Sequence, residues 1–261
     1  MKQDITYKNL LDVILGVFFI SWLFFLCVYW GNGAGIFAFT GFAGKFIVTA
    51  GRIYPVLILY MFLTVWGDIK SPGDFFEQLT ECPSKSRAFG ITLGFLILHA
   101  LLVRFFSVPR GGGFDLLSSF AWAILYCGSM EVVWTGFFLK AFSKGRHFAV
   151  ACMLNGFLYF LYLLPVMCID GAMEEEVPVV YYFLYCALTA FLVGCIYRVT
   201  ESVPASVLVR CVFQTQAWLY RDMMLGSPAV YFLFIVEILL FSGILFFMDR
   251  KEKHFKGEEK K

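Results

Sequence analysis

Residues 114–142 read FDLLSSFAWAILYCGSMEVVWTGFFLKAF, and the fold follows from what this stretch can and cannot be. It is long enough to cross a bilayer, whose hydrocarbon core takes about 20 apolar residues of helix. Yet it carries a carboxylate, Glu131, within the run MEVVWTG at 130–136. Insertion scales put a centrally placed charged side chain at about 2.5–3.5 kcal/mol, so an intramembrane glutamate is a functional-site candidate by default.

The rest of the chain agrees with a membrane setting. Of its 261 residues 60% are hydrophobic and only 15% charged, with a mean hydropathy of +0.77. Soluble domains sit near 45–50% apolar and about 25% charged. The apolar runs are helix-length rather than alternating ten-residue strands, which excludes an outer-membrane barrel. A net charge of +2 is too small to point to nucleic acid. The eight cysteines make no CxxC pair, most fall inside apolar runs, and they read as packing residues rather than a disulfide or metal framework.

Eight spans are expected, at 10–30, 46–66, 88–107, 116–141, 148–168, 178–198, 203–220 and 229–248. The fold class is therefore an all-α polytopic membrane protein, one membrane domain over 1–261. The first run lacks a small-residue cleavage site and is expected to remain as a span. The second is the least regular, with Lys45 and Arg52 at its start and a Gly-rich stretch, 31–44, that could be re-entrant or interfacial. Lys2 and Lys8, then Lys70, Lys85 and Arg87, then Lys140, Lys144 and Arg146, then the basic tail 249–261 fall on one side of an even number of spans. The intervening connectors are poorer in Lys and Arg, and one holds the acidic run 170–176. Positive-inside logic places both termini in the cytoplasm, with a cell membrane as the expected setting.

Few ionisable groups lie inside the spans: His99, Glu131, Arg210 and Glu237, with Arg104 near enough to an end to snorkel. Glu131 and Arg210 have opposite sign on different helices, and bundle interiors pair such groups. Glu131 and Thr135 are four apart and share a helix face, as do Arg210 and Gln214. The four are expected to converge on one polar site; a structural ion pair that only fixes helix register accounts for them equally well. Glu237 has no partner visible in sequence and is expected to be protonated or paired with Arg210, while His99 reads as a hydrogen-bonded packing residue.

The stretch MEVVWTGFFLKAF resembles the first motif, E-E-x-x-x-R-G, of the CAAX-protease and bacteriocin-processing (CPBP, Abi) family of intramembrane endopeptidases. A bacterial subgroup of that family reads E-E-I-G-W-R-G-x-L-L, which Trp134 and Gly136 match, with Glu131 at the second Glu position. The second motif, W-A-L-W-H-L-P, is similar to YFLYLLP here, with Tyr159 and Tyr162 at the aromatic positions and Pro165 in place. The third, S-x-x-P-A-x-L-x-H-x-x-x-N, is similar to SVPASVLVRCVFQ, whose Ser-Pro-Ala lead-in is one residue shorter. The resemblance covers about 88–220, with 10–66 and 229–248 as peripheral helices, and implies an eight-helix bundle of that family's fold.

The resemblance also shows what is missing. Met130 replaces the first Glu, Thr135 the Arg, Leu163 the second-motif His, Arg210 the third-motif His and Gln214 the Asn. In the family, a glutamate and a histidine activate water while the third-motif His and Asn stabilise the oxyanion, which requires a tuned base and donors aimed at developing charge. Leucine can neither shuttle a proton nor orient a water, and arginine stays protonated. Glu131 is the only catalytic motif residue retained. The expected function is a catalytically impaired relative: a membrane scaffold or regulator that binds a hydrophobic peptide or a partner membrane protein. The alternatives are a residual endopeptidase dependent on Glu131, and a small-solute or proton pathway through Glu131, Arg210 and Glu237. No constellation has metal-ligand spacing and no cofactor is expected; the lipid bilayer is the one certain partner.

Overall fold

The computed structural model describes residues 6–106, 116–169, 178–219, 228–241 and 243. Nine helices lie among them: α1 Tyr7–Gly33, α2 Phe42–Val65, α3 Pro72–Thr80 and α4 Lys85–Phe106, α5 Leu116–Ser143, α6 Phe148–Met167, α7 Val179–Thr200 and α8 Val203–Leu219, and α9 Pro228–Phe241. Six of these, α1, α2, α4, α5, α6 and α7, are long and apolar enough to cross a membrane. The last two expected spans correspond to α8, a helix of 17 residues, and the shorter apolar α9. The bundle is all-helical. Lys2, the acidic run 170–176, most of 242–248 and the tail 249–261 lie outside the described residues.

The helices are apolar on both faces, as a membrane bundle requires. On α1, Val13, Val17, Ser21 and Phe25 turn inward at four-residue steps, while Leu11, Leu15, Phe19 and Leu23 face out at the same step. Lipid tails supply no hydrophobic drive between helices, so close approach depends on small residues. Two glycines show this. A Cβ at Gly156 would lie 2.7 Å from the Ala187 backbone, where α6 meets α7. A Cβ at Gly51 would lie 2.9 Å from the Phe24 side chain, where α2 meets α1.

Helix α5 is the centre, packed against α2, α6, α7 and α8. It is not a uniform α-helix: Ile124–Gly128 and Trp134–Leu139 are π-helical. Such turns are rare and concentrate at functional sites because they re-aim the side chains around them.

One element is added and one expectation corrected here. The connector after the second span contains a helix, α3, with Ser71 capping it, Pro72 in its first turn and Asp74 completing a capping box. The Gly-rich stretch 31–44 is not re-entrant: α1 runs to Gly33, α2 begins at Phe42, and Asn32 ties the short link by accepting from the Phe39 N–H at 2.7 Å.

Candidate functional site

The site is assembled from α2, α5, α6, α7 and α8. Glu131 is buried on α5 and accepts a hydrogen bond from the Thr135 hydroxyl one turn on. Trp134 lies between the tyrosines of α6, its ring 5.4 Å from Tyr159 and 4.7 Å from Tyr162, both edge-on. Tyr162 is held from two sides: its hydroxyl donates to the Gly51 carbonyl at 2.9 Å, and its own carbonyl accepts from Trp22 at 3.1 Å. The aromatic positions of the first two motif stretches therefore meet in space. Leu163 and Met130 are buried in the same core cluster.

Arg210 enters from α8. Its Nη2 donates to the Tyr159 hydroxyl at 2.5 Å, and its guanidinium sits 5.0 Å from the Tyr159 ring and 5.8 Å from that of Tyr185. No ion pair joins it to Glu131 among the described residues. The expected Glu131–Arg210 bridge is therefore replaced by two separate arrangements: a carboxylate bonded along its own helix, and a guanidinium bonded and stacked on tyrosines. The two charges remain within electrostatic range, so they share a neighbourhood without touching. Gln214, one turn beyond Arg210, is half-buried, and among the described residues no hydrogen bond ties it to this group.

Glu237 does not turn to Arg210 either. Its Oε1 lies 2.5 Å from His99 Nδ1, with the two side chains 0% and 2% exposed, joining α9 to α4. That bond gives Glu237 a partner other than Arg210.

One functional candidate had been set aside as a span-edge residue. Arg52 is buried within α2, not at its start, because the helix begins ten residues earlier at Phe42. Its guanidinium lies 3.6 Å from the centre of the Tyr126 ring, a close cation–π contact, and Tyr159 and Tyr162 are within its electrostatic reach. The sequence carried no signal for this, because residue 52 stands near the start of the expected run 46–66.

This site thus holds two guanidiniums and one carboxylate, wrapped in tyrosine and tryptophan. Arg52 Nε, Trp134 Nε1 and Arg210 Nη1 are buried donors without an acceptor. Buried polar groups are otherwise almost always satisfied. Among the described residues no cluster of three His, Cys, Asp or Glu side chains could hold a metal ion.

Comparison with known proteins bears on this part of the chain. Residues 112–215 match the family model described as Rce1-like, type II CAAX prenyl endopeptidase. The matched segment contains 130–136 and 159–165 whole, and 202–214 to its last residue. A search of curated proteins finds no match.

Proposed function

We propose, from the match of residues 112–215 to the Rce1-like CAAX-protease family, a catalytically impaired member that binds a hydrophobic peptide or partner protein inside the membrane. The observation that carries it is the surplus of buried donors. Arg52, Trp134 and Arg210 each hold an N–H with no acceptor, which suits the carbonyl groups of a bound peptide. What hydrolysis would need is missing. Leu163 stands where the family's histidine stands, and Arg210 is committed to Tyr159. An arginine cannot alternate between acid and base. The end of the bundle bearing Lys70, Lys85, Lys140 and Lys144 is read as cytoplasmic on the positive-inside rule.

The test uses the full chain purified in detergent. A hydrophobic reporter peptide should bind without being cleaved. Arg210→Met should weaken binding roughly tenfold to a hundredfold, the range for losing a hydrogen bond from a charged donor. One observation favours a second reading, residual endopeptidase activity: Glu131 is retained and buried beside a π-helical turn. Cleavage by the wild type that disappears in Glu131→Gln would establish that reading and sink the first.

A further inference from the structure

Away from this site, a pocket of about 370 Å³ opens between α4 and α8 and takes in none of the residues discussed so far at the Glu131 site. Its volume lies in the range of small-molecule sites, about 300–1,000 Å³. Along α4 it follows one face from Lys85 through Phe89 and Thr92 to Leu96, a length of roughly 16 Å at helical rise. Ala205 and Leu208 of α8 form the facing wall.

Three features point to one kind of occupant. The groove runs along the helix axes, the direction an acyl chain takes in a leaflet. Its outward rim is apolar, with Phe89 69%, Leu93 45% and Leu208 38% exposed, so it opens to lipid rather than water. Its one charged lining residue is Lys85, at the first position of α4, the depth at which lipid phosphates sit. Deeper in, the Thr92 hydroxyl is buried, 4% exposed, and without a hydrogen-bond partner. An unpaired hydroxyl on the wall of an otherwise apolar groove suits the ester carbonyl of a glycerolipid. Glu81 lies near the mouth but is within electrostatic range of Lys140, which offsets its charge.

We propose that this groove binds one anionic phospholipid, with its phosphate on Lys85, its glycerol beside Phe89, an ester carbonyl at Thr92 and one acyl chain along Leu93, Leu96 and Leu208. The site is a lipid seat separate from the Glu131 centre and does not depend on the peptide-binding reading. Basic side chains at a membrane surface attract anionic lipid, so reversing one should lower retention roughly tenfold.

The experiment is native mass spectrometry of the full chain in detergent with phosphatidylglycerol, against phosphatidylcholine of the same acyl chains. One phosphatidylglycerol should be retained in preference. Lys85→Glu should lower its retention roughly tenfold, while Lys85→Arg keeps it. Ala205→Phe should abolish retention of both lipids by filling the groove. Lys85 is exposed, so its variants should fold as the wild type does even if Ala205→Phe does not. Equal retention of the two lipids, or unchanged phosphatidylglycerol retention in Lys85→Glu, would overturn the proposal. So would a hydrophobic peptide that occupies the groove undisturbed by excess phosphatidylglycerol.

Discussion

Tyr159 shows how a single hydroxyl decides the state of a buried charge. Its oxygen accepts from Arg210 Nη2 while its ring lies within cation–π range of the same guanidinium. Tyr159→Phe keeps the ring and removes the acceptor, adding a second unpaired donor beside Nη1. Leaving a buried donor unsatisfied costs about 1–3 kcal/mol, and the thermal midpoint of the purified protein should fall accordingly. Replacing the arginine as well, Tyr159→Phe with Arg210→Met, removes the stranded charge and should recover most of the loss. An exchange of charges between Glu131 and Arg210 should rescue nothing, because the two are not bonded to each other. Here the sequence was misleading for a physical reason. Opposite charges on neighbouring helices predict a bridge, but a carboxylate with a hydroxyl one turn away and a guanidinium among tyrosines have closer partners. Trp134, Tyr159 and Tyr162 could be read as a set because a motif names them. Arg52 could not be, because an arginine near the start of an apolar run looks the same whether it snorkels or is buried.

At the scale of elements, the spans were legible because hydropathy is summed over about 20 residues and tolerates local exceptions. The pairing of His99 with Glu237 was not, since the two are 138 residues apart and no local pattern encodes which helices meet. That bond is the clasp between α4 and α9. His99→Leu or Glu237→Leu alone should strand its partner in an apolar interior and destabilise by roughly 1–3 kcal/mol, while the double change should lie near the wild type. A double-mutant cycle on thermal unfolding measures the difference; additive losses would mean the two do not depend on each other. Helix α3 went unread although serine, then proline, then an acid three residues after the serine is a helix-start signal, because its nine residues are too few to register as a span. Its Asp74 carboxylate accepts from the Lys70 N–H at 2.8 Å and the Ser71 N–H at 3.1 Å. These bonds, that of Lys70 foremost, hold the carboxyl below its ordinary value. A lowered value means the contribution to stability is complete above the unfolded carboxyl range, about 3.9, and is lost as pH falls through the folded value. Protection of the α3 amides, taken relative to the intrinsic exchange rate at each pH, should therefore fall on acidification below about pH 4, and Asp74→Ala should lose that protection at neutral pH already.

For the molecule as a whole, the telling quantity is the charge balance around Glu131, since the other buried glutamate, Glu237, is bonded to His99. Arg52 and Arg210 face one glutamate, and no ion pair joins Arg52 to a carboxylate among the described residues. A bundle selected for stability alone has no use for that excess, because replacing buried ionic groups with apolar ones of similar size is often neutral or stabilising by 1–4 kcal/mol. Against this stands the contact with Tyr126, at 3.6 Å a close one, which contributes about 2 kcal/mol when desolvated. The two terms nearly cancel, so the direction of Arg52→Met on stability discriminates between roles. If Arg52 is kept to meet a bound peptide, the ligand-free variant should melt at or above the wild-type midpoint while losing affinity for a hydrophobic peptide, the usual exchange of stability for function. If Arg52 instead serves as a strut between α2 and α5, the midpoint should fall and peptide affinity should be unchanged in the molecules that remain folded. We expect the first outcome, because its Nε already lacks an acceptor inside the folded chain, and a strut selected for stability would have acquired one.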